Sequence, residues 1–398
     1  MLHHRQNQID EEEESSNFIE NERTDIDECE YDDTVEEVTE KGPRISKRLQ
    51  FRAFVTFICL VAIRIGQLIL QGVAFNSMNM APWKQGFLDI HHMRVGASET
   101  TFIIFPDGTT LLIDSGDVNI RSQLDLWEKE KYDLEMRPRF PNESKSASGW
   151  VIDYMKEFWP REENDFWENG LDYVLITHFH SDHVGEPSEK SVSSKSGNFV
   201  LSGITEIGDQ VPIRILMDRG YPDYDAPSGF LRESSSMMNN YLNFTKEYVT
   251  KGLKVERFKV GSISQIVLQH NEKSINTHFR VRNIKGNLDV AQPDGTVKHI
   301  QDRLIEKETS WDENELSNAI VVEYGTFRYY EGGDQESHKQ NGKLFDTITP
   351  TARAAGPVDV ATLNHHGHGL NSAFVNIMDP KIAILQVWCS VSCSCISC

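Results

Sequence analysis

Residues 171–183, LDYVLITHFHSDH, run from a stretch of buried-strand character straight into three histidines and an aspartate. A strand that ends in so polar a cluster points to a sheet fold whose rigid strands hold reactive loops at their ends. In an extended strand end, residues i and i+2 point the same way, so His178 and His180 can grip one ion. The chain then turns, and Asp182 and His183 can face a second ion beside the first. Imidazole and carboxylate ligands without thiolate suit zinc, manganese or iron, and they match a catalytic site better than a cysteine-rich structural one. The chain has 14 histidines in 398 residues, so three within six positions is not the work of composition.

Cysteine usage supports the same chemistry. Cys29 and Cys59 lie near the N-terminus and Cys389, Cys393, Cys395 and Cys398 crowd the end, leaving none between residues 60 and 388. A metal site in the body must therefore use histidine and carboxylates, and no disulfide framework holds the fold. From residue 86 onward short apolar segments alternate with turns. GFLDIHHMRV, TFIIF and TLLID read as an antiparallel meander, with Asp107-Gly108 between the last two as a hairpin signal. GWVIDYMKEFWP has helical spacing, as does the segment before Gly252. PIRILMD (212–218), GSISQIVLQH (261–270), SNAIVVEYG (317–325), TFRYYEGGD (326–334) and DVATLNHHG (359–367) read as further strands, and 271–316 as polar loops.

The motif THFHSDHVG, with its H-x-H-x-D-H spacing, resembles the signature of the metallo-β-lactamase superfamily, and other segments resemble its remaining motifs in order. GTTLLIDSGD is similar to the first motif, a strand ending in an aspartate that orients the metal loop, here Asp114. YYEGGD is similar to the strand ending in the carboxylate that bridges both metals, here Asp334. VATLNHHGHG resembles the last motif, written His-His-Gly in the branch of competence-type DNA uptake domains and phosphorylcholine esterases. The resemblance covers residues 86–388.

The resemblance implies an α+β protein built as an αββα four-layer sandwich, with two divalent ions at one edge, zinc first with manganese or iron as alternatives. It implies His178, His180, Asp182, His183 and Asp334 as ligands, with His366 preferred to His365 in the last motif. His365 is then expected beside the substrate. Many members carry a further histidine at an intermediate strand end, where this chain offers Asp218. Asp218 is either a substitute ligand or, with Arg219, part of an ordinary loop ion pair.

Two such ions would lower the pKa of a water between them toward roughly 7 and offset charge on the substrate. Asp182, Asp334 and His365 are the expected catalytic groups, with Arg219 and Tyr221 as candidate contacts to a leaving oxygen or phosphate. The expected activity is hydrolysis of a phosphodiester or related ester. The alternatives are a β-lactam, lactone or thioester hydrolase of the same fold, or a truncated non-catalytic member. The net charge of −21 belongs mostly to residues 1–40, which hold 16 acidic residues against two arginines. The remaining body is mildly acidic and shows no basic stripe, which favours a small-molecule substrate over nucleic acid.

Residues 1–40 are too charged and too poor in apolar groups to fold alone, and are read as a disordered acidic tail. Residues 41–80 hold Lys41, Arg44, Lys47, Arg48 and Arg52, then the apolar run 53–75. That order is the pattern of a single-span membrane anchor with a cytoplasmic N-terminus, placing the catalytic domain outside the cytoplasm; the alternative is a soluble protein. Asn142 and Asn243 head glycosylation triplets that fit this placement. Residues 389–398 form an atypical cysteine-rich terminus whose spacing matches no standard metal finger.

Overall fold

The computed structural model describes residues 80–386 apart from 94, 97, 119–134, 137–138, 225–234, 271–277, 301–311 and 341–342, together with 389–390. The acidic tail, the basic stretch, the run 53–75 and most of the cysteine-rich terminus lie outside the described residues. The expected single-pass membrane arrangement is not sustained, because no helix among the described residues is long and apolar enough to cross a membrane. The run that suggested it carries Arg64 near its middle, with Gln67 and Gln71 in its second half, and such groups are costly in hydrocarbon.

Two sheets carry the domain. The first has strand order β1-β2-β3-β4-β5-β6: β1 (Asp89–His92), β2 (Thr101–Ile104), β3 (Thr110–Ile113), β4 (Leu171–Leu175), β5 (Ile213–Asp218) and β6 (Lys254–Arg257). The first three form the expected antiparallel meander, and β3 to β6 run parallel. At the Asp107-Gly108 turn the Phe105 amide donates to the Thr109 carbonyl at 2.8 Å. Gly108 takes φ +88° there, a conformation that glycine adopts without steric cost. The second sheet has order β9-β8-β7-β10-β11-β12-β13: β7 (Phe279–Gly286), β8 (Asp289–Ala291), β9 (Val297–His299), β10 (Ala319–Tyr324), β11 (Phe327–Glu331), β12 (Val360–Thr362) and β13 (Ile382–Ile384). Its last three strands are parallel.

The period-two alternation of the strands assigns each side chain to a layer. Ile103, Leu111, Ile113, Tyr173 and Leu175 of the first sheet face Ile320, Val322 and Tyr329 of the second, forming the central core. The alternate residues Phe102, Ile104, Leu112 and Val174 point outward onto α1 (Ala147–Glu157), α2 (Glu163–Glu168), α4 (Ile204–Gln210) and α5 (Ser236–Val249). On the far side Val321, Tyr330 and Ala361 pack on α6 (Ile348–Ala355) and α7 (Ser372–Met378). The short helix α3 (Ser181–Val184) belongs to the histidine loop. Each fully buried aliphatic or aromatic side chain contributes about 1.5–3 kcal/mol, so the three cores dominate the stability of the sandwich.

Two segments depart from the expected elements. GSISQIVLQH (261–270) is not a strand: Ile263 and Val267 are exposed. Its backbone is tied instead to side chains, with the Gln269 amide donating to Thr109 Oγ1 at 2.7 Å and the His270 amide to Asp107 Oδ2 at 2.8 Å. Conversely β7 lies in a region expected to be loop. Its polar residues Asn283 and Lys285 are buried because neighbours satisfy them: Lys285 Nζ donates to the Glu315 and Ser317 carbonyls, and Asn283 Nδ2 to Gln265 Oε1 at 2.8 Å. Burial lowers the Lys285 ammonium from its ordinary range to about 7.

Candidate metal centre

The candidate ligands follow the carboxyl ends of four strands: Asp114 after β3, the histidine loop after β4, Asp334 after β11 and His365-His366 after β12. Parallel pairing of β3 with β4, and of β11 with β12, puts these ends on a shared edge within each sheet. The turn at Asp114, Ser115, Gly116 and Asp117 grips the histidine loop by its backbone. The Ser115 amide donates to the His183 carbonyl at 2.9 Å and the Asp117 amide to the Ser181 carbonyl at 3.1 Å. A Cβ at Gly116 would lie 1.9 Å from the Asp182 carbonyl carbon, so only glycine permits this approach. Asn318, at the head of β10, ties the second sheet to the same loop. Its amide donates to the Thr177 carbonyl and its side-chain Nδ2 to the Ile176 carbonyl, each at 2.9 Å. Asp114, His365 and His366 all have positive φ, strain that concentrates where the site is assembled.

Ring orientation follows from the outward nitrogens. His183 Nδ1 lies 2.8 Å from Asp114 Oδ2, and His366 Nδ1 lies 2.8 Å from the Gln386 carbonyl. Thr177 Oγ1 donates to Asp114 Oδ2, so it accepts from His178 Nδ1 at 3.1 Å. In all three rings Nδ1 therefore carries a proton and Nε2 faces inward, the atom that must be free of its proton when a metal is held. His180 is turned the other way: its Nδ1 lies 3.1 Å from His178 Nε2, while its Nε2 faces Asp312 Oδ1 at 3.9 Å.

The inward atoms converge on Asp334. Its Oδ2 lies 3.2 Å from His183 Nε2, 3.3 Å from His366 Nε2 and 4.0 Å from His178 Nε2. Asp182 Oδ2 lies 2.9 Å from His366 Nε2 and 3.7 Å from His183 Nε2. Glu99, absent from the expected ligand set, completes the group, with Oε2 3.8 Å from His183 Nε2 and 3.6 Å from His366 Nδ1. Ligand atoms of Glu99, His183, Asp334 and His366 all lie within 4.8 Å of one another.

A divalent cation fits this donor set. His183 Nε2 and Asp334 Oδ1 are fully buried and make no hydrogen bond, the state expected of atoms prepared for an ion. Burial opposes charge on His183, but Asp334, Asp182 and Asp114 outweigh it and hold the imidazole well above its ordinary pKa. His366 is likewise raised against its burial by Asp334, Asp182 and Glu99. Burial would raise Asp334, yet His183 and His366 hold it well below the usual carboxylate range. Burial followed by the charge of Asp334 pushes Glu99 well up. Protons on imidazoles thus balance the carboxylates of the metal-free protein, a task that cations perform when bound.

The structure brings His178, His180, Asp182, His183, Asp334 and His366 together, and separates two other candidates. His365 sits at the rim, its Nδ1 2.9 Å from Glu336 Oε2 and its Nε2 3.4 Å from Asn314 Nδ2. Asp218 is not part of the cluster. Its Oδ1 accepts from the Gly220 and Tyr221 amides, and its Oδ2 from the Tyr224 and Tyr241 hydroxyls, at 2.7–2.8 Å. Four donors close that carboxylate into a turn and leave it no place in an ion's shell. Arg219 is equally committed: buried at 4% exposure, it forms a two-pronged pair with Glu313 at 2.5 and 2.8 Å. Glu313 in turn accepts from the Phe179 amide at 3.0 Å, so the pair braces the histidine loop. Glu99 was missed because one acidic residue ahead of an apolar strand carries no spacing signal.

Fold and site together resemble one class: a metallo-β-lactamase-type sandwich with a cluster of histidines and carboxylates at its edge that could hold metal. No family model matches the chain, and no curated protein matches it. Among solved structures it is similar to zinc-bound PqqB from Methylobacterium extorquens, at 13% identity and TM-score 0.29, covering 67% of this chain and 59% of that one. Unliganded yeast PDE1 aligns at 10% identity and TM-score 0.33, covering 69% of this chain and 74% of PDE1. CmlA, a diiron β-hydroxylase from Streptomyces venezuelae, aligns at 12% and 0.32, covering 76% of this chain and 45% of CmlA. The chain thus spans 59% of the length of PqqB and 45% of CmlA. At these scores the class rests on this chain's own motif order, topology and site geometry.

Proposed function

We propose that the protein is a metal-dependent hydrolase that uses a dinuclear centre on a phosphodiester or related ester. The observation that carries this reading is the position of Asp334. One carboxylate oxygen lies within 4.0 Å of inward nitrogens from both halves of the cluster, His178 on one side and His183 and His366 on the other. His178, His180 and Asp334 would hold one ion, and Asp182, His183, His366 and Asp334 the other. Zinc suits the imidazole-rich half, with manganese or iron as alternatives.

When bound, two such ions supply Lewis acidity and bring the pKa of a water toward roughly 7. The protein's share is orientation. Asp182 and Asp334 face the same space as unprotonated carboxylates, so either can accept a hydrogen bond from the attacking water and aim its lone pair. His365 stands on the solvent side, its ring held between Glu336 and Asn314, where it meets a leaving group. The buried ring of Phe179 and the Asn318 clamp hold the loop rigid, which keeps the reacting geometry fixed.

Asp312 and Glu336 place carboxylates at the rim, and Arg219 is committed to Glu313. That balance suits a small or lipid-like diester, or an uncharged ester, better than a polyanion. The same geometry serves a lactone, thioester or β-lactam. A non-catalytic descendant would be expected to have lost more of its ligand set than the intermediate histidine, whose place Asp218 takes without joining the cluster. The test is elemental analysis of the full chain followed by turnover of bis-p-nitrophenyl phosphate, a lactone panel and nitrocefin. Two metals per chain with fastest turnover of the diester is expected. Less than one metal, or no metal-dependent turnover of any substrate, would overturn the reading.

A further inference from the structure

The two halves of the cluster are unequally built, and the residue responsible is Glu99. On one side, five side chains converge: Glu99, Asp182, His183, Asp334 and His366. On the other, His178 and His180 offer two nitrogens 3.1 Å apart, with Asp334 shared across 4.0 Å. Among the described residues Asp312 is the carboxylate nearest to His180. It meets the outward Nε2, on the opposite side of the ring from the inward Nδ1.

Glu99 is placed for this role by its backbone. Its amide donates to the Asp182 carbonyl at 2.9 Å, so the head of β2 is tied to the turn that bears Asp182 and His183. The side chain is 8% exposed and directed at the buried, hydrogen-bond-free Nε2 of His183. The same Oε2 lies 3.6 Å from His366 Nδ1, whose proton is already directed at the Gln386 carbonyl. This carboxylate shares its space with two further carboxylates, Asp182 and Asp334, an arrangement that a bound cation would stabilise.

We infer that Glu99 is a fifth protein ligand of the ion held by Asp182, His183, Asp334 and His366, which makes this oxygen-rich position fill first and the His178-His180 position fill second. The inference rests on the dinuclear reading above. It carries a consequence for metal choice. Three carboxylates and two imidazoles accommodate manganese or iron more readily than the imidazole pair does. The preference for zinc over manganese is therefore smaller at the first position than at the second, and removing Glu99 widens it.

The test uses the full chain, stripped of metal, titrated separately with Mn2+ and Zn2+ by calorimetry and equilibrium dialysis. Wild type takes up two equivalents in two resolved steps. Loss of a carboxylate that only supports a ligand weakens binding by about 10- to 100-fold, so Glu99→Gln weakens the first step by about 100-fold or more. It leaves the second step in place and raises the zinc-to-manganese affinity ratio of the first. His180→Ala abolishes the second step and leaves the first. If Glu99 only pairs with the His366 imidazole, Glu99→Gln leaves the first step within threefold and the metal ratio unmoved, and the inference falls while the dinuclear reading stands. Should wild type bind no metal, both fall. If Glu99→Gln loses its fold by circular dichroism, the Mn2+ electron paramagnetic resonance spectrum at one equivalent decides. It is the same in wild type and His180→Ala if the oxygen-rich position fills first, and altered in His180→Ala if it does not.

Discussion

Replacing Asp114 by asparagine isolates the tautomer of His183 from everything else in the site. Asp114 Oδ1 accepts from the Thr177 amide at 2.8 Å, and Oδ2 accepts from Thr177 Oγ1 at 2.6 Å and from His183 Nδ1 at 2.8 Å. The Thr177 amide cannot turn, so asparagine must present its oxygen there and its Nδ2 to His183. The hydroxyl of Thr177 can rotate to accept, but His183 Nδ1 must give up its proton to accept from Nδ2. The ring's remaining proton is then fixed on Nε2, the atom 3.2 Å from Asp334 and aimed at the metal position. Shape and hydrogen-bond count are nearly kept, and one charged hydrogen bond is weakened at a group 2% exposed, so the fold should lose about 1–3 kcal/mol. Metal affinity should fall further than stability suggests, by about 10- to 100-fold, as when a carboxylate behind a ligating histidine is changed. The assay pairs a calorimetric metal titration with urea unfolding of the metal-free protein. Affinity within threefold of wild type, alongside the expected stability loss, would refute the claim that Asp114 sets the His183 lone pair.

Asp218→Asn should leave the metal count at two while lowering the melting temperature, because its oxygens belong to a turn and two tyrosines; elemental analysis showing one lost metal would restore it as a ligand. Arg219→Gln should cost about 3–5 kcal/mol by leaving Glu313 buried without its cation. In whatever fraction stays folded, KM for a phosphate ester should be unchanged, and a selective rise in KM would make Arg219 a substrate contact after all. Metal uptake should release protons and weaken on acidification. His183 and His366 are held above their ordinary pKa in the metal-free protein, so an ion must displace their protons, and more remain to be displaced as pH falls. Mixing with Zn2+ in weak buffer should show release of about one proton or more, and a pH-independent affinity between about pH 6 and 8 would contradict it.

The same histidines set the sign of stability in the metal-free protein. Their folded pKa lies above the unfolded value, so their contribution is complete below about pH 6.5 and is lost as pH rises through the folded values. Asp334 and Asp182 have lowered pKa values, so theirs is present above the unfolded carboxylate range and lost on acidification. Removing metal should therefore leave a protein most stable where both conditions hold, between the carboxylate and histidine ranges, whereas the loaded protein should gain stability toward higher pH. Coincident pH profiles of unfolding for the two forms would contradict the view that protons stand in for cations here.

What the sequence made legible, and what it hid, divides by whether a residue's role is local. His178, His180, Asp182 and His183 are spaced by the chain itself, and Asp114 and Asp334 each close a strand whose alternation is plain. The choice between His365 and His366 could not be made from neighbours in sequence. Their different placements follow from a carbonyl twenty residues on, at Gln386, and from Glu336 beyond another strand end. Glu99 and Asp218 show the same limit from opposite sides. One is a lone acid with no motif that folding carries into the centre; the other stands where a ligand is expected, yet is enclosed by two tyrosines from helical and loop segments up to 23 residues away. Strand β7 went unread for a related reason, since Asn283 and Lys285 break its apolar alternation and are tolerated only because distant carbonyls and a glutamine meet them. A polar residue's place is decided by the partner it finds, and where that partner is supplied by the tertiary fold, periodicity carries no trace of it.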